Sequence, residues 1–362
     1  MLKFSKIHEI IPEKEISLLE KISNMGHEDI RFCTDTETDL KAIIAVHSTK
    51  LGPGLGGCRM WNYESNLDAI RDVLRLSRGM TFKASITGLN LGGGKAVIIG
   101  DSTKDKTEKM MESFGQFVDS LNGKYITAED VGMSTSDMEI IKRKTKHVVG
   151  TPKSMGGSGD PSIVTAYGVY MGIKGSAKFL WGDDQLKGKK IFIQGIGNVG
   201  RNLIKYLQKE DAVILINDIN NEKVEEIKKQ YNVEVLSDEE MFNEKIDIYS
   251  PCALGATLNN HTIPKLTCSI VAGAANNQLE EEGVHDIMLK NKNILYAPDF
   301  LINAGGLINV YSELKNFNQE KALEKTEEIY NTTIAILDKS KQENISSHTA
   351  ALSIAQDRLR SS

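Results

Sequence analysis

The sequence predicts an α/β protein of two domains, an N-terminal α/β domain followed by a C-terminal doubly wound parallel sheet. Three observations carry this expectation. The chain has 362 residues, more than a single hydrophobic core usually spans. From about Pro161 onward, short apolar strands and helical stretches alternate strictly, as they do in a parallel sheet with helices on both faces. One strand-to-helix turn there reads Gly195-Ile-Gly-Asn-Val-Gly200, a spacing that suits a phosphate-binding turn.

In the first half, 41–47 (KAIIAVH) and 95–99 (KAVII) read as buried strands, being short, apolar and rich in Ile and Val. Between them Leu67, Ile70, Leu74 and Ser77 recur at helical steps, with Asp68, Arg71, Asp72 and Arg75 facing away. This helix is expected to end at Gly79. The segment 108–121 reads as a second amphipathic helix before a turn at Asn122-Gly123. In the second half a helix covers roughly 163–180, and strand 190–194 (KIFIQ) leads into the glycine turn and a helix to about Gln208. Strand 212–217 (AVILIN) ends at Asp218, and helix 221–230 follows. Apolar runs at 246–249, 269–272 and 294–297 supply further strands. The tail from Glu320 to Arg360 is expected to be helical, with a stripe of Leu323, Ile329, Ile336 and Leu337 and a second helix from near His348.

Composition excludes several classes. Apolar residues make up 40% and charged residues 26% of the chain, as in ordinary globular proteins. A net charge of -5 without a Lys/Arg-rich run gives no track for nucleic acid. No run approaches the roughly 20 apolar residues of a membrane span, and Met1 to Pro12 does not read as a signal peptide. Cys33, Cys58, Cys252 and Cys268 form no CxxC pair, so a reduced, cytoplasmic setting is expected. His8, His27, His47, His147, His261, His285 and His348 form no ligand-spaced pair, and no metal is expected.

The glycine turn follows a strand, opens a helix and is followed by an acidic residue at the end of the next strand. Gly195 permits the tight turn, Gly197 lets the backbone approach a pyrophosphate, and Gly200 lets helix and strand pack closely. The helix N-terminus then offers free N–H groups to the phosphates. Asp218 would accept hydrogen bonds from a ribose 2′-hydroxyl and repel a 2′-phosphate, which favours NAD over NADP.

A second unusual stretch is GMTFKASITGLNLGGGKAVI (79–98). Lys83 and Lys95 flank Gly88, Gly92, Gly93 and Gly94, and glycines this dense suggest close backbone approach to a ligand. Lys95 opens an apolar strand, where a charge is costly unless it has a task. A desolvated lysine beside a second cation suits general acid/base work. Asp130, in ITAEDVG after a short strand, would either neutralise a lysine and receive an amine or act as a plain turn residue. No histidine sits beside the glycine-rich elements, which argues against a 2-hydroxy-acid dehydrogenase.

At these residues the chain resembles the glutamate/leucine/phenylalanine/valine dehydrogenase family over nearly its whole length. The matching stretches are GPGLGGCRMW (52–61), RLSRGMTFK (75–83), GLNLGGGKAVI (88–98), LNGKYITAEDVG (121–132), GIGNVG (195–200), SPCALGAT (250–257), AGAANNQL (272–279) and APDFLINAGGLINV (297–310). Within the family the likeness is strongest to the leucine dehydrogenase branch, with features of tryptophan dehydrogenase-like members.

The resemblance implies a substrate-binding and oligomerisation domain over 1–155, joined by the C-terminal helix 343–362, and a Rossmann NAD-binding domain over 156–342, with a cleft between them. It implies that Lys95 is the reaction lysine, Lys83 the lysine that binds the substrate carboxylate, and Asp130 the catalytic aspartate. Leu55, Gly56, Gly57, Ala128, Leu307 and Val310 then fall at the substrate pocket, and Asn277 near the substrate main chain. Thr165, Gly195, Ile196, Gly197, Asn198, Val199, Gly200, Asp218, Ala253 and Asn276 fall at the cofactor site. Leu55 stands where the glutamate branch has a lysine, so the implied substrate is a branched-chain L-amino acid, exchanged with its 2-oxo acid and ammonia. Leu307 stands where leucine dehydrogenases usually have valine, and Cys58 where they often have threonine, so an aromatic substrate is the alternative. A non-catalytic NAD-binding homologue is a further one, against which retention of Lys83, Lys95 and Asp130 argues. A homo-oligomer, dimer or octamer, is implied as well.

Overall fold

The computed structural model describes residues 18–315 and 318–362. Residues 1–17, including His8 and the stretch Met1 to Pro12 on which the signal-peptide expectation falls, lie outside the described residues. The chain divides into two compact units. The first comprises the described residues up to Asp160, those of 310–319, and Ala355–Ser362; the second comprises Pro161–Asn309 and Glu320–Ile354.

The first unit runs α1 (Leu18–Met25), β1 (Asp29–Asp35), β2 (Leu40–Ser48), β3 (Gly54–Trp61), α2 (Asn66–Ile86), β4 (Gly92–Ile99), α3 (Glu108–Asp119), β5 (Tyr125–Glu129) and α4 (Thr135–Lys142). Its sheet has the order β1-β2-β4-β3-β5. β2 is antiparallel to β1 and β4, and β3 is parallel to β4 and β5. Strand alternation sends Ala42, Ile44 and Val46 of β2 against Met111 and Phe114 of α3 and Met138 and Ile141 of α4. Ile43 and Ala45 pack on Ile70, Val73 and Leu74 of α2. Both faces are covered, which is why β2 reads as an unbroken apolar run.

Three expectations need correction here. α2 does not stop at Gly79 but continues to Ile86. A mid-helix glycine costs about 1 kcal/mol, whereas burying Phe82 and Ile86 in the next two turns is worth about 1.5–3 kcal/mol each. Asp72, expected to face away, is half-buried and accepts hydrogen bonds from Arg59 and Tyr63. Leu67, expected on the apolar face, is exposed. β3 was not anticipated at all, because three glycines in GLGGCRMW leave no alternating pattern.

The second unit begins with α5 (Ser162–Trp181), β6 (Lys190–Gln194), α6 (Asn198–Gln208), β7 (Val213–Asn217), α7 (Asn221–Gln230), β8 (Glu234–Val235), α8 (Asp238–Met241) and β9 (Ile248–Pro251). It continues through β10 (Ile270–Val271), α9 (His285–Asn291), β11 (Leu295–Tyr296) and α10 (Asp299–Ile302). The remaining helices are α11 (Gly305–Glu313), α12 (Gln319–Glu343) and α13 (Ser347–Ser361), of which α11 and α13 are divided between the units. The sheet order is β11-β10-β9-β6-β7-β8 and every pairing is parallel. Counted from β6 this is the doubly wound order of dinucleotide-binding folds, as the alternation of elements predicted. In the second unit the Ser347 hydroxyl of α13 donates to Tyr296 O. In the first unit Arg358 of the same helix donates to Ala84 O, Ser85 O and Leu89 O at the end of α2.

Candidate active site

Lys95 lies on β4 and is 4% exposed. Its neighbours Ala96 and Ile98 pack toward α3 and α4, so Lys95 and Val97 face α2. An ammonium buried there needs a partner. Asp130, directly after β5, supplies it: Lys95 Nζ pairs with Asp130 Oδ2. Asp130 Oδ1 accepts from Arg59 Nε at 3.2 Å and from the Val131 N–H at 2.6 Å. Burial by itself would raise the Asp130 carboxyl, but Lys95 and Arg59 outweigh it and hold the group well below the usual carboxylate range.

Arg59 reaches further. Its Nη1 donates to Asp72 Oδ2 at 2.9 Å, and that oxygen also accepts the Tyr63 hydroxyl at 2.8 Å. Arg75 Nη2 donates to Asp72 Oδ1 at 3.3 Å. Instead of a second cation directly beside Lys95, the structure places a carboxylate between two cations. Sequence reasoning missed Arg59, although a lone arginine between buried Cys58 and Met60 was a signal of the same kind as Lys95. Lys83 is half-buried in the last turn of α2, one turn beyond Met80, which packs against Gly56 of β3.

The glycine run in β4 has a different purpose from the expected one. A Cβ on Gly92 would lie 1.8 Å from Ser48 O, on Gly93 2.2 Å from Thr81 N, and on Gly94 2.5 Å from the Tyr125 ring. These glycines admit α2 and neighbouring backbone against β4, so close packing within the protein demands them. Gly57 pairs with Ala128 across β3 and β5, and a Cβ on Gly57 would come 2.9 Å from the Asp130 Cβ. Leu55 and Ala128 are buried. Leu307 and Val310 fall on successive turns of α11, Leu307 in the second unit and Val310 in the first. His47 does sit beside the glycine-rich strand, contrary to expectation, because the neighbouring Val46 and Ser48 pair with Gly94 and Gly93. Its ring is engaged by Thr81 Oγ1 at 2.8 Å and Met25 O at 3.1 Å, and burial pushes it down to about 4.

In the second unit Gly195 adopts a φ of +97°, and a Cβ there would lie 2.6 Å from the Ala253 Cβ. The loops after β6 and β9 therefore touch where the strand order reverses, the crevice in which such sheets bind ligands. Gly197 is the N-cap of α6 and provides no side chain to cap it, which leaves exposed Gly197 and Asn198 N–H groups for an anion. Buried Gly200 packs on Gly195 O, where a Cβ would come within 2.2 Å; Ile196 is buried and Val199 half-buried between them. Asp218 Oδ2 accepts from the Ile196 N–H at 2.8 Å and Oδ1 from the Asn220 N–H at 2.9 Å. A carboxylate has about four acceptor sites, so each oxygen retains capacity for a ribose hydroxyl. Exposed Asn276 and Asn277 continue the rim: Asn277 O accepts from the Ala256 N–H at 2.7 Å, and Asn303 Nδ2 donates to Asn276 Oδ1 at 2.8 Å. Thr165, in the first turn of α5, donates to Pro161 O and faces Gly306. Among the described residues no group of three or more His, Cys, Asp or Glu could hold a metal, and no helix is long and apolar enough to cross a membrane.

A parallel sheet in this order, an uncapped glycine turn at its switch point and an acidic residue closing the second strand define a dinucleotide-binding fold. Comparison with known proteins specifies it further. Residues 27–147 match the family model described as Glu/Leu/Phe/Val dehydrogenase, dimerisation domain, and residues 156–221 and 212–362 match Glutamate/Leucine/Phenylalanine/Valine dehydrogenase. Leucine dehydrogenase of Bacillus cereus is 48% identical over 96% of this chain and 94% of its own. Phenylalanine dehydrogenase of Thermoactinomyces intermedius is 45% identical over 95% of this chain and 94% of its own. The crystal structure of L-tryptophan dehydrogenase from Nostoc punctiforme superposes with a TM-score of 0.86 at 43% identity, covering 95% of this chain and 99% of that one. The chain belongs to the glutamate/leucine/phenylalanine/valine dehydrogenase family. It is an amino-acid dehydrogenase, and its cofactor is NAD.

Proposed function

We propose that the enzyme catalyses the reversible oxidative deamination of a branched-chain L-amino acid, leucine, valine or isoleucine, to its 2-oxo acid and ammonia. The observation that carries this reading is the ion pair of buried Lys95 with half-buried Asp130, lying next to Gly57 and Ala128. Leu55, Gly56, Ala128, Leu307 and Val310 bring no cation to grip a side-chain carboxylate, so they favour an aliphatic side chain over that of glutamate. When bound, NAD supplies the acceptor for the α-hydrogen, taken as hydride. In this reading Lys83 holds the substrate α-carboxylate and Asn277 its main chain. Asp130 accepts a proton from the substrate ammonium and returns one to the departing ammonia. Lys95 orients and activates the water that adds to the imine carbon, and its charge stabilises the carbinolamine that collapses to the 2-oxo acid.

Substrate binding is assigned to the first unit and NAD binding to the second. There the Gly195–Gly200 turn holds the pyrophosphate, with Asn198 as a direct contact and Ile196 and Val199 shaping the backbone. Asp218 takes the ribose, while Thr165, Ala253 and Asn276 border the nicotinamide side. We infer a homo-oligomer, supported by the edge strand β1 with its exposed Phe32. A reducing cytoplasm suits the four free thiols.

An aromatic substrate is the second reading, favoured by the likeness to tryptophan and phenylalanine dehydrogenases and by small Gly56, Gly57 and Ala128 at the pocket. A panel of L-amino acids with NAD, read by NADH absorbance, tests both. Higher kcat/KM for tryptophan or phenylalanine than for leucine would replace the first reading by the second. No turnover of any aliphatic or aromatic amino acid in the panel would overturn both readings.

A further inference from the structure

We propose that Arg59 is a positioning residue for the dehydrogenase reaction: anchored by Asp72, its guanidinium pins one oxygen of Asp130 and leaves the other to Lys95 and the substrate amine. The proposal rests on the reading of Asp130 as the proton shuttle.

The geometry separates the two carboxylate oxygens by task. Oδ2 meets Lys95 alone among the hydrogen bonds described, whereas Oδ1 is held by Arg59 Nε and the Val131 N–H. A carboxylate with one bond on each oxygen can swing about its Cβ–Cγ bond when one partner leaves. With two donors on Oδ1 from different elements, β3 and the turn after β5, it keeps its plane. Lys95 must turn toward water or imine during turnover, so the plane of Asp130 has to survive the loss of that contact. Arg59 is suited to this because its guanidinium is planar and presents donors in a fixed fork.

The fork is itself fixed from the other side. Nη1 bonds Asp72 Oδ2, the Tyr63 hydroxyl bonds the same oxygen, and Arg75 Nη2 bonds Oδ1. Asp72 thus collects three donors, from β3, from the segment after it and from its own helix α2. Asp72 and Arg59 are both largely shielded, with side chains 16% and 22% exposed, so solvent does not replace these bonds freely. The connection runs from α2 through Asp72 and Arg59 to Asp130 and Lys95, and every link is an ion pair. Lysine at position 59 would keep a charge yet could not bond Asp130 and Asp72 through one rigid plane.

The test is a double-mutant cycle on the holoenzyme, with Arg59→Met, Arg59→Lys and Asp72→Asn each made alone and with Asp130→Asn, under saturating NAD. Arg59→Met should lower kcat by about 30-fold or more, a large part of the roughly 100- to 10,000-fold that a proton-transfer group contributes, while the KM for NAD stays within about twofold. Arg59→Lys should recover only part of that loss, and Asp72→Asn should lower kcat in the same direction by a smaller factor. In the Asp130→Asn background Arg59→Met should cost less than about threefold, the non-additivity of two residues acting through one contact. Equal losses from Arg59→Met with and without Asp130 would overturn the proposal and leave Arg59 a structural residue. Full rescue by Arg59→Lys would also overturn it, since charge alone would then suffice. If Arg59→Met does not fold, the near-isosteric Asp72→Asn carries the cycle with the same criteria. Undiminished turnover by Asp130→Asn alone would instead overturn the proton-shuttle reading, and this proposal with it.

Discussion

Replacing Lys95 by alanine should abolish turnover and spare the fold. Lys95 is 4% exposed, and its ion pair joins it to Asp130. Orphaning a buried charge usually costs about 3–5 kcal/mol. Here Asp130 keeps Arg59 at 3.2 Å and the Val131 N–H at 2.6 Å, so the loss of stability should fall below that range and the protein should remain folded. The rate is another matter, because neither remaining donor can activate a water at the imine carbon. A positioned acid/base group is worth about 100- to 10,000-fold, which corresponds to about 2.7–5.4 kcal/mol of barrier. The assay is NADH formation at saturating amino acid, paired with a fluorescence titration of NAD. The titration should be unchanged, since the glycine turn and Asp218 belong to the other unit. A folded Lys95→Ala protein that keeps more than roughly a tenth of wild-type kcat would refute the assignment, because the smallest acid/base contribution is about tenfold larger.

Lys83→Ala should chiefly raise the KM for the amino acid: a charge-assisted contact of about 1.5–3 kcal/mol corresponds to roughly tenfold or more, and an unchanged KM would remove Lys83 from the carboxylate site. The unmodified enzyme should prefer NAD to NADP by at least about 100-fold in kcat/KM, or about 2.7 kcal/mol. Asp218→Ser should narrow that ratio, mostly by weakening NAD use, since Asp218 also holds the Ile196 N–H; equal rates with both cofactors would show that Asp218 does not face the ribose. His47 supplies a pH effect. Burial lowers its folded value from 6.5 to about 4, so the unfolded chain binds the proton first and stability falls as pH drops through that interval. The shift corresponds to about 3 kcal/mol, and denaturant melts of His47→Gln should lack that part of the acid loss; identical pH slopes in the two proteins would refute it.

Most of the second unit was legible because its signals are local. KIFIQ, GIGNVG and AVILIN each carry their own periodicity or turn chemistry, and the acidic residue closing AVILIN fell where the sheet places it. The first unit was harder to read. β3 hides behind its glycines, and Gly56 and Gly57 are explained only by Gly94 O, Glu129 O and Asp130 pressing on β3 from elements distant in sequence. The end of α2 was misplaced for a similar reason. Gly79 breaks the local helical preference, while the burial that carries the helix on to Ile86 comes from tertiary packing.

Family resemblance added Asp130 to Lys83 and Lys95 as charged residues to watch; the sequence by itself determined the α/β class, the doubly wound second half and the Gly195–Gly200 turn between strand and helix. Spacing along one chain is enough for these, since each turn or strand is built from neighbouring residues. Only the tertiary structure decided that buried Lys95 pairs with half-buried Asp130, that the glycine run serves packing, and that Arg59 and Asp72 stand behind the carboxylate. Asp130 lies 35 residues from Lys95 and 71 from Arg59. No periodicity relates positions so far apart; the parallel pairing of β3 with β4 and β5 brings them to one end of a sheet, where burial in a low-dielectric interior forces each charge to find its partner.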